Sequence, residues 1–267
     1  MRRLTVERLP MHNDSEITEK VIPAATVIVF RQAASGGPPE LLMLERAHGM
    51  RFAGGAAVFP GGRVDPADFE MASRLLPDAD PQDAAARIAA VRETLEETGL
   101  VIALHERISA AEAAGARALL LEHGSLAPVI ERTGWEFDLA SLHPFAHWCP
   151  NRAGAFDTRF YITDLGTGAV EVEADAGESR SLFWTSAQGA LDLDDRGDIS
   201  VIFPTRRNLE RLAQFASFAE AHAQTLAIPT RRIVPRREDR DGEPHQVIPE
   251  GLGYPVTSES WATIRRG

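Results

Sequence analysis

Residues 80–100, DPQDAAARIAAVRETLEETGL, constrain this chain more than any other stretch. Both ends of a helix are marked there. Asp80 is a good N-cap, Pro81 suits the first helical position, Asp83 puts an acid in the first turn, and Gly99 suits the C-terminal cap. The pattern predicts a helix over 81–98. At helical spacing Ala84, Ile88, Val91 and Leu95 share an apolar side, while Glu93, Glu96 and Glu97 converge on another. The apolar side requires a second layer to cover it. The acidic side runs against helix electrostatics, because each carboxylate near a C-terminus costs roughly 0.3 to 1 kcal/mol and like charges at this spacing repel. Arg92 alone cannot neutralise all three acids. Either this is a solvated acidic face or it awaits a hard divalent cation, since magnesium and manganese select oxygen ligands and bridge carboxylates to phosphates.

Around this helix the chain alternates between short elements. Residues 22–30, IPAATVIVF, are apolar and β-branched, and LLMLER follows a turn-like ASGGPPE, which reads as a hairpin of core strands. DPAD at 65–68 announces another capped helix, over 66–76. LVIALHE, at 100–106, is read as a strand, 109–123 and about 125–133 as helices, and HPFAHWCP, FDTRFYITDL and SRSLFWT as strands. A long helix is predicted from 205 to about 223, with Leu209, Leu212, Phe215 and Phe218 as its core stripe. LDLDDRGD lacks the ligand order of a calcium loop and reads as a solvated turn. RRIVPRREDRDGEPH mixes both charge signs and reads as a surface loop or hairpin. The expectation is an α/β (α+β) domain over 21–228, flanked by extensions at 1–20 and 229–267.

Composition closes off several classes. A net charge of -11 opposes general affinity for nucleic acid or an anionic membrane. No apolar run approaches a membrane span, and the first twenty residues lack the apolar middle of a secretory signal, so cytoplasmic residence is expected. The single cysteine, Cys149, excludes an internal disulfide framework and reads as a small buried side chain. His143 and His147 are four apart on a predicted strand and read as structural.

Residues 92–100, RETLEETGL, resemble the second half of the Nudix box, GX5EX7REUXEEXGU, with Thr94 in place of the bulky aliphatic U. Gly62 of FPGG corresponds to the opening glycine. Arg92 lies 30 positions after it rather than 14, an insertion of 16 residues placed within 63–80, and Ala84 stands eight positions before Arg92 where a glutamate is expected. The resemblance implies a Nudix fold, an α/β/α sandwich around a mixed sheet, with extra helices from the insertion and the C-terminal region. It implies Mg2+ or Mn2+ held by Glu96 and Glu97, Glu93 as a further ligand or the general base, a backbone carbonyl from Gly61 or Gly62, and Arg92 positioning the glutamates. An acid from outside the box is also expected, Glu178 or, behind it, Glu173. The implied reaction is hydrolysis of a nucleoside diphosphate linked to another moiety.

The stretch LMLERAHGMRFAGGAAVFPGG resembles the coenzyme A diphosphatase signature LLTXR[SA]X3RX3GX3FPGG, with Arg46, Ala47, Arg51, Gly55, Phe59, Pro60, Gly61 and Gly62 in register and Met43 and Leu44 departing. It implies coenzyme A or acyl-coenzyme A as substrate, with Arg46, Arg51, Gly62 and Phe59 contributing to binding. ADP-ribose, NADH, nucleotide sugars and a catalytically silent, nucleotide-sensing domain remain as alternatives. The chain ends IRRG, without a peroxisomal address. A homodimer is a family-level expectation.

Overall fold

The computed structural model describes residues 20–34, 36–46, 55–165 and 179–264. Its centre is a mixed sheet built on β1 (Ile22–Arg31) and β2 (Glu40–Arg46), the predicted hairpin. These strands pair only near their turn, at Phe30↔Leu41 and Arg31↔Glu40, and then separate. Two short strands fill the gap. β3 (Ala57–Val58) pairs with β2 and β4 (Gly61–Arg63) pairs with β1, so Phe59 and Pro60 carry the chain across from one to the other. β5 (His143–Trp148), β6 (Phe156–Asp164), β7 (Ser179–Ser186) and β8 (Arg232–Ile233) complete the sheet. Its order is β3-β2-β1-β6-β5-β8, with β7 on β2 and β4 on β1; β1 with β6 and β5 with β8 are the parallel pairs.

Helices cover both faces, giving the expected α/β/α sandwich. On one side lie α1 (Pro66–Leu75), α2 (Pro81–Thr98), α3 (Ala110–His123) and α4 (Ala127–Thr133), packed through Ile88, Val91, Leu95 and Leu120 onto Val27, Val29 and Leu42. On the other lie α5 (Ala187–Arg196), α6 (Phe203–Leu212) and α7 (Phe218–Ala227), whose core includes Ile28, Phe30, Trp148, Phe203, Leu209 and Ala221. Ile248, Tyr254 and Ile264 from the C-terminal segment enter this second core. The charged stretch at 236–247 forms the hairpin of β9 (Arg236–Arg240) and β10 (Glu243–Val247), joined by β11 (Ser258–Ser260) in a separate small sheet. No helix among the described residues is long and apolar enough to cross a membrane.

Three local expectations need correction. Residues 100–106 are not a strand: Ala103 turns into the left-handed region at φ 55, Leu100 and Ile102 are buried in the helical layer, and only an isolated bridge from Leu104 to Phe137 forms. The helix predicted over 205–223 is two helices. Ser217 accepts a hydrogen bond from the Glu220 amide at 3.2 Å, and the Glu220 carboxylate accepts one from the Ala216 amide at 2.8 Å, so side chains cap a new helix where continuity was expected. LDLDDRGD begins inside α5, which is capped by Ser186 and terminated by Gly197 at φ 78.

Candidate active site

The predicted boundaries of α2 hold. Asp80 accepts from the Asp83 amide at 2.8 Å, and Gly99 ends the helix at φ 70, with its own amide donating to Leu95 O at 2.9 Å. Its last turn contains no basic residue. The cation comes from the neighbouring helix instead: Arg117 on α3 donates Nε to the Glu96 carbonyl at 3.0 Å, meeting the negative end of the helix dipole. Thr94, where an aliphatic was expected, is fully buried and satisfies its hydroxyl by donating to Ala90 O at 2.7 Å.

Arg92 is the hub of the site and is 3% exposed. Its Nε and Nη2 donate to the two carboxylate oxygens of Asp68, both at 3.0 Å, and Nη2 also donates to Arg63 O at 2.8 Å. Nη1 lies 2.9 Å from Glu93 and 3.4 Å from Glu96. Burial alone would lower the Arg92 pKa, but its hydrogen bonds to Asp68 and the charges of Glu93, Asp68 and Asp65 outweigh it and raise it. Burial pushes the Asp68 carboxyl upward while Arg92 pulls it back; the two parallel N–H···O bonds are those of a guanidinium holding a carboxylate.

Asp68 corrects the reading of a lost box glutamate. It stands six positions after Gly62, where the pattern places that acid when counted forward from the glycine. The extra residues therefore fall after Asp68, between it and Arg92. Ala84, reached by counting back from Arg92, is a core residue with 1% exposure. Asp68 also accepts from the Asp65 amide at 2.8 Å, so the acid that starts α1 holds Arg92 as well.

The three glutamates are held in three different ways. The Glu97 carboxylate is 3% exposed and accepts the Gly61 amide at 2.9 Å, so it is the N–H of Gly61 that faces it. Glu93 lies against Gly62 so closely that a Cβ built on the glycine would be 2.4 Å from its carboxylate. Burial, reinforced by the neighbouring Glu96 and opposed by Arg92, pushes the Glu93 carboxyl up to about 7. Glu96 is the most open, with 36% of its side chain exposed. Among the described residues no three His, Cys, Asp or Glu side chains stand close enough together to hold a metal ion.

Other expected site residues fall elsewhere. Phe59 is 3% exposed and belongs to the second core, so its ring packs the sheet and is corrected from a substrate contact to a core residue. Arg46 sits at the end of β2 with Nε buried and without a hydrogen-bond partner among the described residues. Arg51, Glu173 and Glu178 lie outside the described residues. His143 stacks on His222 at 3.8 Å between ring centroids and His147 pairs with Asp157, so both are structural, as expected. Arg117 was missed because its contact is made across helices, with nothing in its own neighbourhood to signal it.

No family model matches the chain. It is 27% identical to the acyl-coenzyme A diphosphatase NUDT19 of Gallus gallus, the similarity covering 68% of this chain and 63% of that relative, so the chain spans less than two thirds of the relative's length. It is also similar to the crystal structure of a NUDIX hydrolase from Alicyclobacillus acidocaldarius, at 29% identity and a TM-score of 0.65, covering 77% of this chain and 97% of that one. Box, fold and both likenesses point the same way: the chain is similar to the Nudix hydrolases.

Proposed function

We propose that this chain is a divalent-metal-dependent diphosphatase that cleaves between the phosphates of a nucleoside diphosphate linked to another moiety, with coenzyme A or an acyl-coenzyme A as its substrate. The observation that supports this most is the carboxylate set of α2, brought against the Gly61–Gly62 backbone and organised by Arg92. The donor set fits a hard cation. It is all oxygen, Glu93 and Glu97 are desolvated, and Gly62, having no side chain, lets the Glu93 carboxylate lie against the backbone.

In this reading Glu96 and Glu97 would hold Mg2+ or Mn2+, with Glu178 and the Gly61 carbonyl as further donors and Glu93 as a further ligand or the general base. Such an ion, when bound, lowers the pKa of a coordinated water and neutralises diphosphate charge. Where Glu93 is the base rather than a ligand, its burial, which raises the carboxyl to about 7 in the metal-free protein, brings it near the working pH. Arg92 fixes Glu93 and Glu96 through charge-assisted hydrogen bonds, itself fixed by Asp68. Arg46 and Arg51 would supply forked donors to phosphate.

The substrate preference draws support from the signature residues around Arg46 and FPGG and from the activity of the NUDT19 relative. Purified protein with Mg2+ or Mn2+ should release product from coenzyme A or acetyl-coenzyme A in a panel that includes ADP-ribose and NADH. Turnover of ADP-ribose with none of coenzyme A would remove the substrate assignment, and no turnover of any member would remove the enzymatic one. Glu97→Gln should abolish metal-dependent turnover with the fold retained; an active variant would take Glu97 out of its role.

A further inference from the structure

The second face of the sheet buries a charge that no carboxylate offsets among the described residues. Arg92, Arg207 and Arg211 are each 3% exposed or less. Arg92 meets Asp68 and Glu93, and Arg207 meets Glu210 at 2.7 Å and Glu259 at 3.2 Å. Arg211, on α6, has only neutral acceptors: Nη1 donates to the Phe145 carbonyl and Nε to Gln224 Oε1, each at 2.7 Å. Its guanidinium carbon lies 4.0 Å from the centroid of the Phe145 ring and 5.3 Å from that of Tyr254. These rings stabilise a cation but carry no negative charge. Nη2 is buried and has no hydrogen-bond partner among the described residues.

Arg211 lines a cavity of about 10 Å³, together with Phe145, Thr230, Arg231, Leu252 and Tyr254. That volume admits one particle about the size of a water molecule. A water would accept the orphaned N–H and leave the charge unbalanced, and an unpaired charge in an apolar surround costs several kcal/mol. Arg231 also lines the cavity and adds a second positive group, so the field there favours an anion. The space is narrow, which suits a monatomic anion. We propose that this cavity is a binding site for a single halide ion, chloride in ordinary solution, accepting a hydrogen bond from Nη2 of Arg211. Burial, which pushes the Arg211 guanidinium pKa down, points the same way. The bound ion would secure a junction where Arg211 already joins β5 through Phe145, α7 through Gln224 and the C-terminal segment through Tyr254.

Crystals of the full chain grown without halide and soaked in sodium bromide should show an anomalous peak within hydrogen-bond reach of Nη2. In solution, replacing gluconate by chloride at constant ionic strength should raise the melting temperature saturably by about 3 °C. Arg211→Met should abolish that response. A bromide-soaked crystal with no peak at Nη2, or a chloride response unchanged in Arg211→Met, would overturn the assignment; the crystal result stands even if the variant does not fold.

Discussion

Replacing Asp68 by Asn keeps the shape of the side chain and removes the charge that faces Arg92 across two 3.0 Å hydrogen bonds. Both groups are buried, at 2% and 3% exposure, so the loss is that of a buried ion pair broken on one side, about 3 to 5 kcal/mol. Glu93 at 2.9 Å, Glu96 at 3.4 Å and Asp65 at 3.6 Å stay near the guanidinium and partly compensate, which places the expected cost near the lower bound, about 3 kcal/mol. For a chain of this size that is a fall in melting temperature of roughly 6 to 10 °C. Released from Asp68, Arg92 would turn further toward Glu93 and Glu96 and compete with the cation, so the Mg2+ concentration for half-maximal activity should rise about tenfold. Circular dichroism melting and a Mg2+ titration of turnover measure the two effects. In Arg92→Met the Asp68→Asn change should cost less than it does alone, the coupling expected of residues in one hydrogen-bonded ion pair. Ala84→Glu should not rescue Asp68→Asn, since residue 84 is in the core and a carboxylate there is itself destabilising. A melting temperature within 1 °C of the parent, with unchanged Mg2+ dependence, would refute the assignment of Asp68 as the counter-ion of Arg92.

Three further outcomes follow from the same geometry. Gly62→Ala should leave the melting temperature within a few degrees, because the group struck is the end of the Glu93 side chain, and lower metal-dependent turnover by about a hundredfold; full activity would show that Glu93 need not lie there. In metal-free protein the Glu93 carboxyl is raised from 4.5 to about 7, so the folded state holds the proton more tightly than the unfolded chain and its contribution is complete below pH 4.5. That contribution, roughly 3 kcal/mol, should fade as pH rises from 4.5 through 7, seen as a falling melting temperature in chelator that Glu93→Gln flattens and Mg2+ reverses. Arg117→Ala should cost about 0.5 to 1 kcal/mol and weaken Mg2+ dependence a few-fold, with Arg117→Lys recovering part of it, as judged by melting and metal titration.

How much of this was legible beforehand differs by element. The limits of α2 and the β1–β2 hairpin could be read because the determining residues are local: Asp80, Pro81 and Gly99 act within one turn of themselves. The break between α6 and α7 was also written locally, in Ser217 and Glu220, but a run of well-spaced apolar residues outweighed it. Residues 100–106 have strand composition, and only the positive φ of Ala103 and the burial of Leu100 and Ile102 under the helices show why they pair with nothing regular. At the site, Glu93, Glu96 and Glu97 were evident from helical spacing. Asp68 was hidden by the direction of counting, since the insertion separates it from Arg92 by 24 positions. Arg117 and the orphaned Nη2 of Arg211 depend on packing between distant segments, which no spacing rule reports.

The pairing of Asp68 with Arg92 also bears on chain length. Considered as a polymer, the segment between them is a ring tied at its two ends by that ion pair, and the free energy of closing a ring grows only logarithmically with its contour, by about 0.6 kcal/mol per doubling. Residues can therefore be added to or taken from the exposed connection between α1 and α2, away from the buried faces of both helices, without moving either end. The geometry at the carboxylates is thus insulated from the size of the segment it encloses.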